Sequence, residues 1–352
     1  MIEKIKKYQV IEKTLIRSAI KKMDKGGMGF CVCVDNNEKV IGVISDGDFR
    51  RAILKGVQLD EPIENIMNQD FLYVNKNFKQ REIEEIFTGD LVVRHVPVID
   101  NGKLLDIITE ESFYGIKREK RKPSLNNAVV IMAGGKGTRL DPFTRILPKP
   151  LIPLGDEPII KVIMDEFVSY GMKEFHVTLN DKSRMIKSYF HDHDSEYNIN
   201  FIEEGKPLGT AGSLKLLQNK LKNPFFVTNC DIIIKSDYDK IFKFHQERNN
   251  ALTLVGSMQH HTVPYGVCEI ENGGDLISIR EKPEYDFLTN TGLYILDQDV
   301  LNHIPNNTYF DMTDLIATIQ DEGLRVGVFP ISDKSWIDVG QWEDYNKIID
   351  KY

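Results

Sequence analysis

A short apolar segment that runs directly into a cluster of glycines constrains the fold of this 352-residue chain more than any other feature. Residues 128–132 read Ala-Val-Val-Ile-Met, which is typical of a strand buried on both faces. Gly134, Gly135 and Gly137 follow at once, and the absence of a Cβ at these positions allows the backbone to approach a ligand closely. Bare N–H groups in such a loop form a concave anion site that suits phosphate oxygens. The segment therefore predicts a buried strand that ends in a phosphate-binding loop.

The residues after the glycines narrow this interpretation. Gly-Gly-x-Gly-Thr-Arg-Leu at 134–140 is followed by Pro-Lys-Pro at 148–150. The loop has neither the Gly-Lys-Ser/Thr ending of a Walker loop nor the full Gly-x-Gly-x-x-Gly order of a Rossmann fingerprint. Arg139 offers a planar fork of donors and Lys149 a point charge, and both suit phosphate. The combination resembles the sugar-1-phosphate nucleotidyltransferases, which are also called NDP-sugar pyrophosphorylases.

That resemblance implies a role for each residue of the loop. Arg139 would hold the leaving pyrophosphate, and Lys149 would stabilise the α-phosphate of the nucleotide. The nucleotide would also lie against five neighbouring residues, namely Ala133, Gly134, Gly135, Gly137 and Thr138.

Segments of strand length alternate with helical segments along the rest of the chain. Predicted strands lie at 174–179, 200–203 and 225–228, and predicted helices at 159–170, 182–190 and 213–220. This alternation indicates an α/β domain with a mostly parallel sheet, whose ligand crevice lies outside the carboxyl ends of the strands. Together with the resemblance, it predicts a Rossmann-like nucleotidyltransferase domain over residues 127–352.

Two aspartates next to apolar segments are candidates for a metal site. Asp231 ends the segment Val-Thr-Asn-Cys-Asp, and Asp338 lies within Trp-Ile-Asp-Val-Gly at 336–340. Mg²⁺ requires oxygen ligands and usually takes one or two carboxylates together with nucleotide phosphates. The resemblance implies that both aspartates bind Mg²⁺, the expected cofactor, although Cys230 stands where the family usually has Gly.

Four further segments resemble the substrate-binding motifs of the family. Pro-Leu-Gly-Thr-Ala at 207–211 resembles the loop that reads the base, with Gly209 and Thr210 against the nucleotide, and a simple capping turn at Thr210 is the alternative. The segments 265–267, 280–283 and 290–294 resemble those that line the sugar-phosphate pocket. The residues implied there are Gly266, Glu281, Lys282, Asn290 and Thr291. Lys282 would place the incoming phosphate, although an exposed charged turn at 280–282 is the other reading.

The N-terminal third contains an internal duplication. Lys39–Ser45 aligns with Lys103–Thr109, which lies 64 residues later, and each copy has a helical stretch, a strand, an Asn turn and a second strand. The helical stretches are predicted at 17–23 and 79–87. This duplication resembles a pair of cystathionine-β-synthase-type (CBS) domains over residues 1–120, followed by a linker at 121–126.

In CBS pairs a Ser/Thr-x-x-Asp after the last strand can hold the ribose and phosphate of an adenine nucleotide. The first copy has Ser45 and Asp48 in this pattern, whereas the second copy has Ser112 in place of the aspartate. Ser45 and Asp48 could equally well cap a helix that opens at Phe49, so both readings stay open. The resemblance also implies a homo-oligomer formed through the CBS pair.

Bulk properties exclude several classes of protein. The net charge of −8 argues against a dedicated nucleic-acid binder, and the basic segment 117–122 is read as a solvated linker. No apolar run approaches 18 residues, which argues against secretion and membrane spanning. The four cysteines lack zinc-site or disulfide spacing, as expected of a cytoplasmic protein. The histidine-containing segments 191–194 and 260–261 are expected to be solvated loops, not a metal cluster.

The reaction implied by the resemblance joins an NTP to a sugar 1-phosphate, giving an NDP-sugar and pyrophosphate. A CBS pair before such a domain resembles the guanylyltransferases of legionaminic acid pathways, which implies GTP and glucosamine 1-phosphate. The alternatives are UTP or dTTP with a glucose-type phosphate, GTP with mannose 1-phosphate, and a regulator that senses NDP-sugar or nucleotide without turnover. A cytidylyltransferase for acidic sugars is disfavoured because its loop differs.

Overall fold

The computed structural model describes residues 5–89, 93–114, 125–135, 137–180, 182–191, 197–221, 224–342 and 345–346. Contacts within the chain divide it into two compact units, residues 1–120 and 121–352. The basic segment 117–122 and most of the predicted linker 121–126 lie outside the described residues.

The first unit contains two small sheets of the same topology. In each, the first strand runs parallel to the second, which pairs antiparallel with the third. The strands are β1 (Gln9–Ile11), β2 (Phe30–Val34), β3 (Val40–Ser45), β4 (Val74–Asn75), β5 (His95–Asp100) and β6 (Lys103–Thr109). The helices are α1 (Ile16–Gly26), α2 (Asp46–Leu54), α3 (Gln80–Thr88) and α4 (Glu110–Tyr114).

Helix α1 shows how the sequence specifies these elements. Ile16, Ala19, Ile20 and Met23 recur at helical spacing and are all buried, so one face of the helix packs on the sheet. The helix is followed by its C-cap Gly27, whose φ of 76° lies in the left-handed region that glycine adopts without strain.

The predicted duplication is confirmed by strand register. Phe30 pairs with Ser45 in the first copy, and His95 pairs with Thr109 in the second. Phe30 and His95, which occupy equivalent positions, stack on each other with ring centroids 4.7 Å apart and planes inclined by 14°. The two copies therefore meet through equivalent residues and bury the sheet faces that each would expose alone.

The second unit is built on a seven-stranded sheet with the order β11-β10-β7-β12-β17-β14-β18. Its strands are β7 (Val129–Met132), β10 (Glu174–Leu179), β11 (Asn198–Glu203), β12 (Phe225–Asn229), β14 (Leu252–Thr262), β17 (Glu284–Leu296) and β18 (Val326–Ile331). Only β17 runs antiparallel to its neighbours, so the predicted mostly parallel α/β sheet is confirmed.

Shorter strands pair outside this sheet: β8 (Pro153–Leu154) with β9 (Glu157–Pro158), β13 (Ile232–Ile234) with β19 (Trp336–Asp338), and β15 (Val267–Ile270) with β16 (Leu276–Arg280). The helices of this unit are α5 (Phe143–Ile146), α6 (Ile159–Val168), α7 (Ser183–His191), α8 (Gly209–Gly212), α9 (Tyr238–Glu247) and α10 (Met312–Asp321). Among the described helices of the chain, none combines the length and apolar character needed to span a bilayer.

Strand β7 is buried on both faces, as its sequence predicts. Val129 and Ile131 belong to the apolar core on one side of the sheet, whereas Val130 belongs to the core on the other side. The glycine loop that follows β7 therefore leaves the centre of the domain at the carboxyl end of a buried strand.

Two local predictions are wrong. The helix expected at 213–220 is instead the short α8 followed by a 3₁₀ turn, Ser213–Leu217, because residues 208–212 bond to a distant segment. His260 and His261 lie in β14, not in a loop, because β14 continues beyond its neighbour β18 along β17, where His260 faces Asp286. His191 is the exposed last residue of α7, and residues 192–194 lie outside the described chain.

Candidate active site

The two candidate metal-binding aspartates meet through a short strand pair. Asp231 directly precedes β13, and Ile232 of β13 lies opposite Asp338 of β19. The Val339 amide also donates to the Asp231 carbonyl at 2.9 Å. A Cβ on Gly340 would lie 2.5 Å from Asp231 Oδ2 and 2.8 Å from Asp338 Oδ1, so both carboxylates converge on this glycine.

Two basic side chains face the same carboxylate. The Lys149 ammonium forms a buried ion pair with Asp231 Oδ2 and lies 3.1 Å from the Cβ position of Gly340. Arg139 Nη2 lies 3.8 Å from the same oxygen, but the Arg139 side chain is 62% exposed. Lys149 is thus held inside the site, whereas Arg139 reaches it from solvent.

The glycine loop supports this arrangement. Gly137 has a φ of 68°, and a Cβ there would lie 2.9 Å from the Cβ of Lys149 and 3.0 Å from Thr144. Because Gly137 carries no side chain, the loop can pack directly on the aliphatic part of the Lys149 side chain. β7 and β12 are parallel neighbours with Met132 opposite Asn229, so the glycine loop and Asp231 emerge at the same edge of the sheet.

Burial and charge act together on Asp338. Burial raises the pKa of its carboxyl group, and the neighbouring Asp231 raises it further. The Gly340 amide, which donates to Asp338 Oδ1 at 2.7 Å, opposes this effect. Two carboxylates held close together in a half-buried site are suited to bind a cation.

These residues fit Mg²⁺ with the help of a substrate. Across the part of the chain that the structure describes, no group of three or more His, Cys, Asp or Glu side chains could hold a metal on its own. Asp231 and Asp338 supply two carboxylates, which can approach each other beside the Lys149 ammonium because Gly340 carries no Cβ. Mg²⁺ typically completes such a set with phosphate oxygens and water.

The other predicted loop residues differ in what they can offer a nucleotide. Ala133 is buried and its amide donates to Thr178 O at 3.1 Å, so that N–H is already used. Gly135 has no atom within 4 Å of a Cβ position and faces open space. Thr138 is exposed at the start of the 3₁₀ turn Thr138–Leu140. Gly135 and Thr138 are therefore the accessible members of the loop.

Glu204 is a site residue to which the sequence motifs assigned no role. It follows β11, and a Cβ on Gly134 would lie 2.5 Å from its Oε1. Its Oε2 accepts from the Leu208 amide at 3.2 Å, and burial raises the pKa of its carboxyl group. A half-buried carboxylate thus lies between the glycine loop and the predicted base-reading loop.

Thr210, a predicted nucleotide-binding residue, lies against the start of α10. Its amide and its hydroxyl both donate to Asp311 Oδ1, at 3.0 and 3.2 Å. The reason is that the loop packs against the start of α10, whose Met312 amide donates to the Thr210 hydroxyl at 2.8 Å. Gly209 has a φ of 80°, in the left-handed region that favours glycine.

The sugar-phosphate motifs form two groups. Gly266 lies near Glu281, since a Cβ on Gly266 would be 3.1 Å from Glu281 Oε2, and the Lys282 amide donates to Tyr265 O at 3.3 Å. Lys282 has a left-handed φ of 47°. Among the described residues, no hydrogen bond or ion pair links these two turns to the aspartates.

The second group lies beside the segment that carries Asp231. Gly292 packs against Asn229, which is two residues before Asp231. Asn290 is exposed, accepts from the Gly292 amide at 3.1 Å and donates to the Tyr294 hydroxyl at 2.8 Å. Thr291, a predicted sugar-phosphate residue, is only 2% exposed, and its hydroxyl donates to Val255 O at 2.9 Å, so its side chain is engaged within the sheet.

The CBS candidates Ser45 and Asp48 cap a helix. Ser45 N and Oγ both donate to Asp48 Oδ2, at 2.8 and 2.6 Å, and Arg51 pairs with the other oxygen. α2 consequently begins at Asp46, before the predicted Phe49. The second copy has the same arrangement, in which Thr109 and Ser112 exchange bonds of 3.0 Å.

Comparison with known proteins gives consistent matches for both units. A family model described as "Nucleotidyl transferase" matches residues 128–352, and one described as "CBS domain" matches residues 9–55 and 63–115. The UTP–glucose-1-phosphate uridylyltransferase of Synechocystis sp. is 31% identical over 238 residues, or 61% of each chain. A mannose-1-phosphate guanyltransferase of Schizosaccharomyces pombe is 32% identical over 226 residues, again 61% of each chain.

The aligned region thus spans 61% of the length of these curated relatives. Among solved structures, the crystal structure of HddC from Yersinia pseudotuberculosis is similar, with a TM-score of 0.51 and 27% identity. That similarity covers 64% of this chain and 99% of the other.

Proposed function

Because residues 128–352 make this chain a member of the nucleotidyl transferase family, we propose that it transfers a nucleotidyl group from an NTP to a sugar 1-phosphate. The products are an NDP-sugar and pyrophosphate. The observation that carries the proposal is the meeting of Asp231, Asp338, Lys149 and Arg139 beside the glycine loop. The names of the uridylyltransferase and guanyltransferase relatives describe reactions of this type.

The chemistry requires charge stabilisation and alignment more than proton transfer. An oxygen of the sugar phosphate is already ionised at neutral pH, so the attack on the α-phosphorus needs no general base. The protein must bring two polyanions together and neutralise the charge that develops in the transition state. When bound, Mg²⁺ would supply Lewis-acid polarisation of the nucleotide phosphates.

We assign each basic residue to a different phosphate group according to its position in the structure. Lys149, which is held in the site by Asp231, stabilises the α-phosphate, and its buried position keeps it aligned. Arg139 is exposed and can follow the leaving pyrophosphate. Lys282 lies in the turn that contacts Tyr265 and places the sugar phosphate, with Gly266, Glu281 and Asn290 beside the sugar.

We propose GTP as the nucleotide on the basis of Glu204. An ionised carboxylate only accepts hydrogen bonds. The Watson–Crick edge of guanine presents two adjacent donors, N1–H and N2–H, whereas the corresponding edge of uracil presents one donor between two acceptors. Glu204 lies between Gly134 and Leu208, where it can accept from such an edge beside Gly209. UTP or dTTP with a glucose-type phosphate is the alternative.

The sugar and the pathway are finer proposals. Glucosamine 1-phosphate remains our proposed acceptor, with mannose 1-phosphate as the alternative suggested by the guanyltransferase relatives. A role in legionaminic acid synthesis rests on the domain combination alone.

The proposed function is tested by pyrophosphate release with four NTPs crossed against glucosamine, glucose and mannose 1-phosphates. We expect the highest turnover with GTP and glucosamine 1-phosphate. Release with another pair of substrates would correct the proposed NTP or sugar 1-phosphate and would still support the proposed type of reaction. No release with any pair would contradict the proposal and favour a sensor that binds nucleotide without turnover.

For the N-terminal unit we propose an adenine nucleotide site at Ser45 and Asp48 and self-association through the CBS pair, within the division 1–120, 121–126 and 127–352. The CBS family match supports the proposal. Titrating AMP or ATP into the same assay, with Asp48→Ala as the control, tests the site. An effect of AMP that persists in Asp48→Ala would contradict it.

A further inference from the structure

The segment Leu208–Gly212 forms most of its printed hydrogen bonds with residues about a hundred positions later in the chain, in addition to the bond from the Leu208 amide to Glu204. Leu208 O accepts from Phe310 N at 2.9 Å, and the amides of Ala211 and Gly212 both donate to Phe310 O, at 3.0 and 2.9 Å. Phe310 therefore provides hydrogen-bond partners for backbone groups at both ends of the predicted base-reading loop.

Asp311 holds the middle of the loop. Its Oδ1 accepts from both the amide and the hydroxyl of Thr210, and the same hydroxyl accepts from the Met312 amide. A Cβ on Gly209 would lie 2.6 Å from Phe310 O and 2.9 Å from Asp311 Oδ1. Gly209 is therefore pressed onto this stretch, in a left-handed conformation that other residues rarely adopt.

The anchor itself is rigid. Asp311 is the N-cap of α10, and its amide donates to Asp314 Oδ2 at 3.0 Å. Met312, Leu315 and Ile319 of the same helix are buried in the apolar core on one side of the sheet. The position of the loop is thus set by a helix that is fixed in the core.

We propose that Asp311 is a positioning residue that fixes the Gly209 backbone against the base of the nucleotide. This inference rests on the proposed function, in which the loop reads the base. Thr210 acts through Asp311, to which both its amide and its hydroxyl donate. Hydrogen bonds to a carboxylate are stronger than neutral ones, and a loop ordered before binding loses less entropy when the nucleotide arrives.

Binding measurements with and without a base test the inference. We expect Asp311→Ala to raise the Kd of GTP about tenfold, within the usual range for losing a charge-assisted hydrogen bond. The Kd of inorganic tripolyphosphate, which has no base, should not change. Asp311→Asn, which retains an acceptor for Thr210, should recover part of the affinity for GTP.

Asp314→Ala is the matched control, because Asp314 caps the same helix and makes no bond to residues 208–212. It should lower thermal stability to a similar extent and leave the Kd of GTP unchanged. If Asp311→Ala does not fold, Thr210→Val removes the hydroxyl bond to Asp311 and leaves the amide bond. It should raise the Kd of GTP to a smaller extent, with Thr210→Ser restoring it.

Unchanged GTP binding in a folded Asp311→Ala or Thr210→Val protein would overturn the inference. Equal weakening of GTP and tripolyphosphate would also overturn it, because the damage would then extend to the phosphate site. A wild-type protein that binds GTP and UTP no better than tripolyphosphate would overturn the proposed function itself, before any variant is compared.

Discussion

Lys149 and Arg139 carry the same charge near the same carboxylate, but their surroundings differ. Lys149 is 7% exposed in an ion pair with Asp231, whereas the Arg139 side chain is 62% exposed. Removing one partner of a buried pair leaves an uncompensated charge, which costs about 3–5 kcal/mol. Removing an exposed charge usually changes stability by less than about 0.5 kcal/mol.

We therefore expect Arg139→Ala to lower turnover by about a hundredfold or more while its Tm stays near that of the wild type. Lys149→Met should lower both turnover and Tm. In the double variant Lys149→Met/Asp231→Asn, part of the lost stability should return without activity. Calorimetry and pyrophosphate release measure these effects, and a large loss of Tm in Arg139→Ala would contradict the assignment.

A substitution at Gly340 tests whether a metal ion binds between the Asp231 and Asp338 carboxylates. Its φ is not in the left-handed region, so alanine is allowed by the backbone, but the new Cβ would meet Asp231, Asp338 and Lys149 within 3.1 Å. We expect Gly340→Ala to raise the Mg²⁺ concentration needed for half-maximal turnover and to lower turnover itself. Gly205→Ala, where a Cβ meets nothing within 4 Å, should behave as the wild type. Equal behaviour of the two variants would argue against a metal at this point.

A substitution at Glu204 tests whether this residue selects GTP over UTP. Because an amide offers both a donor and an acceptor, Glu204→Gln should lower kcat/KM for GTP and raise it for UTP, so that the ratio shifts by about tenfold or more. Glu203→Gln is the control, since Glu203 is exposed and pairs with Lys187. A ratio that stays constant in Glu204→Gln, with turnover intact, would remove Glu204 from the base site.

At the scale of elements, helix α2 shows a cap that occurs in both copies of the duplication. Ser45 and Asp48 form it in the first copy, and Thr109 and Ser112 form it in the second. We expect Asp48→Ala to lower the free energy of unfolding by about 1 kcal/mol, the usual cost of a lost cap. Ser112→Ala should cost a similar amount. A thermal melt of each variant without nucleotide measures this, and no change in Asp48→Ala would contradict the capping role.

Elements with a strong local pattern could be predicted from the sequence. β10 has the predicted bounds, and the apolar run of β7 is buried on both faces because it lies in the middle of the sheet. The duplication was visible because its two copies retain the same order of apolar strands and Asn turns. These features depend on residues that are near each other in the chain.

Features that depend on distant partners could not be predicted. The three-residue β13 is specified by its pairing with β19, which brings Asp338 to Asp231. The helix expected after Gly212 is shorter than predicted because the preceding loop is hydrogen-bonded to Phe310 and Asp311. Glu204 and Asp311 stand in no motif of their own, and their roles follow only from contacts with Gly134 and Thr210.

For the whole molecule, the second unit is organised around one edge of its sheet. β7, β10, β11 and β12 are parallel, so the glycine loop, Glu204 and Asp231 all follow strands that end at this edge. The antiparallel β17 places Asn290–Gly292 next to Asn229 at the same edge. Residues from these four parts of the chain therefore lie at one edge of the sheet, which is suited to phosphate and a divalent cation.

The most direct test of this account is pyrophosphate release from GTP and glucosamine 1-phosphate by the wild type and by Asp338→Asn. The amide keeps an acceptor for the Gly340 N–H but removes one of the two converging carboxylates. The account predicts release that requires both substrates and Mg²⁺, and a loss of about a hundredfold or more in Asp338→Asn. Release that continues in EDTA, or that is undiminished in a folded Asp338→Asn protein, would contradict it.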